Sequence, residues 1–81
     1  MKLAYTKRAR GALNDLPAFV RKAFYKQAGL LAQNLQYPSL HAKKYDESNN
    51  IWQARINRDW RFYFTIKGDT YTITNVTPHP K

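Results

Sequence analysis

The chain has no cysteine, few acidic residues and no long hydrophobic run. Without cysteine, neither a disulfide framework nor a thiolate metal site can form. The two histidines and five carboxylates are scattered along the sequence, which argues against a zinc or di-metal centre. No apolar stretch approaches the roughly 20 residues of a membrane-spanning helix, and the N-terminus lacks the apolar core of a signal peptide. These absences predict a cytoplasmic protein that needs no metal or cofactor and no membrane.

The composition that remains is that of one small, strongly basic domain. The 81 residues are too few for two independent cores, so we expect a single domain over residues 1–81. The net charge of +9 is uneven: residues 1–44 carry nine Lys and Arg against one acid, whereas residues 45–81 carry five against four. Such a charge favours RNA, DNA, an anionic membrane or an acidic protein as partner, although a well-solvated helical surface would explain it equally well.

The most regular pattern is the alternation in residues 51–66, IWQARINRDWRFYFTI. Apolar side chains recur at every second position, which is the spacing of strands with one buried face. The buried face would hold Trp52, Ala54, Ile56, Trp60, Phe62, Phe64 and Ile66. The open face would show Gln53, Arg55, Asn57, Arg61, Tyr63 and Thr65. A sheet with cationic and amide groups on its open face is suited to holding a polyanion.

Local signals place two helices before this stretch. Residues 2–5 form a short predicted strand, and Thr6 is a candidate N-cap for a helix that runs to about Leu16. Pro17 stands near the start of a second helix, which Pro38 would end. The apolar stripe of this second helix comprises Val20, Phe24, Gln27, Leu31 and Leu35.

Three strands are expected to follow the helices. Residues 45–50 form a polar loop, and the strands cover about 51–57, 60–67 and 70–76, with Gly68-Asp69 as a two-residue turn. The element order is therefore β-α-α-β-β-β. We expect an α+β fold in which the two helices pack on one face of a mostly antiparallel sheet.

The register of these strands can be predicted from their faces. Paired residues must share a face, so Ala54 should lie opposite Phe64, and Arg55 opposite Tyr63. The turn between the second and third strands should pair Phe64 with Ile73. These pairings predict which side chains are neighbours on the open face.

The same turn predicts that the end of the chain returns to the first hairpin. It would pair Arg61 with Val76, so that His79 comes close to Arg61 and Arg55. Arg55, Arg61, Tyr63 and His79 would thus converge at one end of the open face. The loop that leads into the sheet would bring two further cations, Lys43 and Lys44.

This group of side chains has the chemistry to cleave RNA without a metal. The 2′-hydroxyl of RNA can attack the adjacent phosphate if a base removes its proton, a cation stabilises the phosphate and an acid protonates the leaving 5′-oxygen. His79 can act as acid or base near neutral pH. Arg55 and Arg61 offer planar guanidinium groups that match phosphate oxygens, and Tyr63 can stack on a base or donate to phosphate.

Simpler explanations exist for each residue. Arg61 could pair with Asp59 across the strands, and His79 could belong to a frayed tail between two prolines. His41 is expected to be solvent-exposed or to pack locally, because it lies in a loop with no predicted partner on the sheet. Both tryptophans fall on the buried face and are expected in the core.

Several segments in order resemble toxins of the RelE/ParE superfamily, from bacterial type II toxin–antitoxin pairs. The resemblance covers nearly the whole chain and rests on the β-α-α-β-β-β order together with four segments. These are the basic loop LHAKKY, the strand WQARIN, the strand DWRFYF and the closing VTPHPK. The RelE-like branch, which cuts RNA, matches these segments better than the branch that poisons gyrase.

The resemblance implies a metal-independent endoribonuclease that cleaves mRNA in the ribosomal A site and inhibits translation. An acidic antitoxin would neutralise it, and the hetero-oligomer would bind operator DNA. The family's catalytic positions match Arg55, Arg61 and His79. The predicted RNA-binding residues are Lys43, Lys44, Gln53, Tyr63 and Lys81, where Gln53 replaces a basic residue of many RelE-like enzymes.

Two other functions stay open at the level of the sequence. A ParE-like inhibitor of DNA gyrase would share the fold and the acidic antitoxin, but would need no catalytic group. A basic RNA-binding module without toxicity would need only the charge. A supercoiling assay separates the first of these from a ribonuclease.

Overall fold

Two helices lie against one face of a five-stranded sheet in the structure, a computed structural model that describes residues 1–79. The elements are β1 (Lys2–Tyr5), α1 (Lys7–Asn14), α2 (Ala18–Gln33), a 3-10 helix (Pro38–Leu40), β2 (Lys43–Asp46), β3 (Ile51–Arg55), β4 (Trp60–Lys67) and β5 (Thr70–Pro78). The strand order is β1-β5-β4-β3-β2, and β1 and β5 are the parallel pair. The predicted α+β arrangement is confirmed. The loop expected ahead of β3 was partly wrong, because its first residues pair with β3 as a further strand, β2.

The core lies between the helices and the even-numbered face of β3 and β4. Phe62 and Phe64 are fully buried, and Phe24 of α2 meets Phe62 edge-on with ring centroids 5.2 Å apart. The expected stripe of α2 is buried as far as Leu31. Both tryptophans are partly buried against this core. The alternation in residues 51–66 therefore identified the buried face of the hairpin correctly.

Side chains at both ends of α1 satisfy its free backbone groups. The Thr6 hydroxyl accepts from the Ala9 N–H at 3.1 Å, as predicted for an N-cap, and donates to the Thr74 carbonyl of β5 at 3.2 Å. At the other end, Arg21 of α2 donates to carbonyl oxygens at 3.0–3.2 Å. These acceptors belong to Leu13, Asn14 and Leu16. One guanidinium therefore joins the two helices.

Both helices end earlier than their sequence suggested. α1 ends at Asn14 rather than near Leu16, and α2 ends at Gln33, before Pro38. Pro38 begins the 3-10 helix instead. Neither helix in the described residues is long and apolar enough to span a membrane.

The predicted register of β3 and β4 was wrong by two residues. Ala54 lies opposite Phe62, and Arg55 lies directly opposite Arg61. The turn is centred on Arg58 and not on Asp59, and the Asn57 side chain holds it by accepting from the N–H groups of Asp59 and Trp60, at 2.9 and 3.0 Å. Because side chains alternate with a period of two, a register that differs by two residues leaves every side chain on its predicted face.

The register of β4 and β5 changes at a β-bulge. Phe64 pairs with Ile73 as predicted, but Arg61 pairs with Thr77 and not with Val76. Thr74 is the extra residue, and its carbonyl is held by the N-cap of α1. Without the bulge, strict alternation would turn Val76 to the open face; with it, Val76 is buried.

The hydrogen bonds from Arg21 to backbone carbonyls should contribute measurably to the stability of the protein. Arg21→Ala should lower the free energy of unfolding by about 1–2 kcal/mol, because three carbonyls in the last turn of α1 and the segment that follows it lose a charged donor. For a domain of this size, the melting temperature should fall by roughly 4–8 °C for each kcal/mol. The matched control is Lys22→Ala, which removes an exposed cation from the next position. Equal melting temperatures for the two variants would contradict this role.

Candidate functional site

A cleft of about 440 Å³ opens at the end of the sheet where β3 leads into β4. Five of the predicted site residues line it, and His79 and the segment before β2 close its sides. We call it the cationic cleft, with lining residues His41, Ala42, Lys43, Gln53, Ala54, Arg55, Arg61 and His79. Strand pairing thus brings together residues that are up to 38 positions apart in sequence.

Arg55 holds the one buried side-chain donor without a partner in the described residues. Its Nε atom is inaccessible to solvent and makes no hydrogen bond. A buried N–H without an acceptor costs free energy. Because Arg61 lies directly across the hairpin, the two guanidinium groups also reinforce each other's attraction for an anion.

Arg61 is buried and holds the β3–β4 loop. Only 8% of the residue is exposed, and its Nη1 atom donates to the carbonyls of Asn57, Arg58 and Trp60 at 2.7, 3.2 and 3.0 Å. Burial, and then the charge of Arg55, lower the pKa of Arg61 from its ordinary value. An arginine remains cationic in proteins. Its hydrogen bonds go to backbone carbonyls, so the alternative of a pair with Asp59 is not what the structure shows.

His79 reaches the cleft through a backbone contact with the same loop. Its N–H donates to the Asp59 carbonyl at 2.7 Å, directly after Pro78 pairs with Trp60 at the end of β5. The side chain is exposed. Up to His79, the chain end is therefore held against the hairpin and does not fray as the simpler explanation supposed.

His41 lies in the cleft, which the sequence did not indicate. It ends the 3-10 helix with a left-handed backbone, φ 46°, and it is exposed as expected. The position of His41 could not be predicted from hydrophobic periodicity, because it depends on the left-handed backbone at the end of the 3-10 helix. Its place two positions before Lys43 was the signal that the sequence offered. Both histidines of the chain thus line one cleft.

The two lysines of β2 face opposite sides. Lys43 pairs with Gln53, and both line the cleft. Lys44 lies over the Trp52 ring, 4.9 Å from its centroid, and bonds to Asn50, so the structure does not bring it into the cleft. Because successive side chains of a strand point to opposite faces, Lys43 and Lys44 separate, although the loop expected here would have allowed both to reach the cleft.

The remaining predicted residues fall beside the cleft or outside the described part. Tyr63 does not line the cationic cleft but borders it, because its hydroxyl accepts from Gln53 Nε2 at 3.0 Å. Lys81 lies outside the described residues, so its predicted role stays a prediction. Within residues 1–79, no group of three or more potential metal ligands is close enough to hold an ion.

A buried amide connects the cleft to the helices. Gln27 of α2 donates through Nε2 to the carbonyls of Arg55 and Ser39, at 2.9 and 3.1 Å. The Ser39 hydroxyl donates to Gln27 Oε1 at 3.3 Å. Helical spacing identified Gln27 as part of a buried stripe, but only the tertiary structure shows that it holds the end of β3.

The positive charge of the cleft has no carboxylate partner among the described residues. The ion pair that these residues do form, Lys2 with Asp69 at 3.9 Å, is exposed and lies at the opposite end of the sheet. A concave site with several cations and no acidic partner selects for anions. The arrangement can hold a phosphate and offers two imidazoles beside it for proton transfer.

Solved structures similar to this chain include bacterial toxins and an archaeal RelE–RelB complex. No family model matches the chain, and no curated protein matches it. The YoeB/ParE toxin from Agrobacterium tumefaciens has a TM-score of 0.81 at 14% identity, covering 99% of this chain and 100% of that one. The RelBE2 toxin–antitoxin complex from Mycobacterium tuberculosis gives 0.81 at 21% identity, covering 99% and 92%.

A third similar structure is the isolated RelE toxin from E. coli. Its TM-score is 0.79 at 13% identity, with 99% of this chain and 85% of that chain covered. At such identities the likeness concerns the fold, and it extends over nearly the whole length of each chain. The resemblance found in the sequence is therefore confirmed at that level: the chain has the fold of RelE/ParE-superfamily toxins.

Proposed function

We propose that this protein is the toxin of a type II toxin–antitoxin pair and a metal-independent endoribonuclease. It would cut mRNA at the ribosomal A site and inhibit translation in the bacterial cytoplasm. The observation that carries the proposal is the cationic cleft, in which Arg55 lies directly opposite Arg61 and both histidines line the same space. The shared fold supports the toxin class.

The cleft supplies each group that cleavage by the 2′-hydroxyl requires. The 2′-oxygen attacks phosphorus and the bond to the 5′-oxygen breaks, which leaves a cyclic phosphate and a free 5′-hydroxyl. Arg55 holds the phosphate oxygens as charge builds on them. His79 and His41 share the proton transfers, one taking the 2′-hydroxyl proton and the other protonating the leaving 5′-oxygen.

Two further residues have supporting roles in this proposal. Arg61 adds positive charge and keeps the loop in place through Nη1. Lys43 lies directly opposite Gln53, the position at which many RelE-like enzymes carry a second basic residue. We infer that Lys43 supplies the missing cation from the neighbouring strand.

The positive charge of the cationic cleft also indicates the kind of protein partner that would bind it. An acidic antitoxin segment would cover the cleft, compete with RNA for Arg55 and join the toxin in a hetero-oligomer on operator DNA. Similar structures from M. tuberculosis and from Staphylococcus aureus contain toxin and antitoxin together. Affinity for the antitoxin should fall as salt rises, because charge complementarity contributes to it.

Substitution of Arg55 and His79 tests the proposed activity. Expression of the protein in bacteria should arrest growth and leave mRNA cut within codons. Arg55→Ala should slow cleavage roughly 10²–10³-fold, and His79→Ala roughly 10²–10⁴-fold, because each removes one group that acts in the transition state. Cleavage is measured on ribosome-bound mRNA by mapping of the new 5′ ends.

The matched control is Arg58→Ala. Arg58 is an exposed cation of the same hairpin outside the cleft, so its loss should leave cleavage near that of the original protein. Full toxicity of both test variants would contradict this site. Intact mRNA together with inhibited DNA supercoiling would instead support the ParE-like function.

Gln27→Leu tests whether the buried amide positions Arg55. The change leaves the Arg55 and Ser39 carbonyls without their donor, and stability should fall by about 1–3 kcal/mol. At a temperature where the variant is fully folded, kcat should fall about tenfold with a smaller change in KM, since Arg55 is displaced but not removed. Gln33→Leu, the same change at an exposed position of α2, is the control. A stability loss with unchanged kcat would leave Gln27 a purely structural residue.

A further inference from the structure

A second cleft lies on the open face of the sheet beside the cationic cleft. It has a volume of about 370 Å³ and takes its walls from α1, β2, β3, β4 and β5. We call it the tyrosine cleft, with lining residues Arg8, Tyr45, Ile51, Tyr63, Thr74, Asn75 and Thr77. The hydrogen bond from Gln53 to the Tyr63 hydroxyl forms the boundary between the two clefts. Arg61 and Tyr63, one from each cleft, are only two positions apart, about 7 Å along β4.

Both irregularities of the sheet lie at the tyrosine cleft. The register between β2 and β3 shifts at Tyr45, and the register between β4 and β5 shifts at Thr74. Each of these two residues lines the cleft. Bulges interrupt pairing and redirect side chains, and they concentrate next to binding sites. The rest of the sheet is regular, so both irregularities coincide with one surface.

The walls combine aromatic rings with hydrogen-bonding groups. Tyr45 and Tyr63 meet edge-on, with ring centroids 5.0 Å apart, and Tyr45 remains 60% exposed. Asn75 bonds through Oδ1 to the next N–H, which leaves its amide nitrogen as a donor. Arg8 adds a cation at the rim. Exposed aromatic rings beside amide and guanidinium donors are the groups on which unpaired bases stack and by which their edges are read.

We propose that the tyrosine cleft binds one base of single-stranded RNA, next to the nucleotide whose phosphate occupies the cationic cleft. The base stacks on Tyr45, and Asn75 donates to its edge. This subsite rests on the proposed function, because it extends the same RNA strand across the open face. It gives the protein a preference for unpaired RNA that the phosphate contacts alone do not supply.

The test is the affinity of the full chain for a short RNA that it cannot cut. The probe is a hexanucleotide with 2′-O-methyl groups, together with six versions that each lack one base. One of the six should bind about tenfold more weakly than the parent, because it lacks the stacked base. Tyr45→Ala should weaken binding of the parent by a similar factor and lose nothing more with that abasic version. Tyr45→Phe keeps the ring and should restore the affinity.

Two controls separate stacking from charge and from damage to the fold. Tyr37→Ala removes another exposed tyrosine, outside the cleft, and should not change affinity. Tyr45→Ala should leave the slope of log K against log salt unchanged, whereas Arg55→Ala should reduce it by about one.

The outcomes distinguish the subsite from the proposed function. RNA binding that depends on Arg55 but is indifferent to Tyr45 and to every missing base would overturn the subsite and leave the ribonuclease proposal standing. A loss in Tyr45→Ala that affects only binding of an acidic protein partner would also overturn it. Failure of the hexanucleotide to bind at all would overturn the subsite, whereas the proposed function is tested separately by cleavage of ribosome-bound mRNA.

Discussion

The contact between Arg61 and the β3–β4 loop is the interaction on which the candidate site depends. One guanidinium nitrogen binds three carbonyls of the loop, and the loop in turn binds the His79 N–H through Asp59. If the loop opened, His79 would lose its anchor, and Arg55 would lose its neighbour across the hairpin. A buried charge satisfied by backbone oxygens therefore holds two elements of the cleft in place.

The cleft also brings like charges together, which is unfavourable for stability. Arg55 lies directly opposite Arg61, and like charges across a strand pair are unfavourable. The buried Arg55 Nε without an acceptor adds a second cost. Stability is supplied elsewhere, by the Phe24–Phe62 contact and by Arg21 at the end of α1. Several interactions that are unfavourable for stability and that cluster in one cleft are typical of a binding site.

Much of this fold was predictable because its signals are local. The Thr6 cap, the buried stripe of α2 and the alternation of residues 51–66 each depend on neighbours a few positions away. The registers were less predictable, because Asn57 holds one turn one position earlier than expected and Thr74 forms a bulge. The bulge is held from α1, some 68 residues away in sequence, so no local pattern shows it. The same holds for Gln27, whose partners lie on two other elements.

By itself, the sequence determined the α+β class, the buried and open faces of the hairpin and the surplus of positive charge, because strand and helix periods follow from backbone geometry. Only the tertiary structure decided which cations share a cleft. It placed Arg55 opposite Arg61, brought His41 in and turned Lys44 away. The physical reason is that register and strand membership depend on hydrogen bonds between distant segments. If the register of those bonds shifts by one residue, the side chains of the strand move from the open face to the core, and those of the core to the open face.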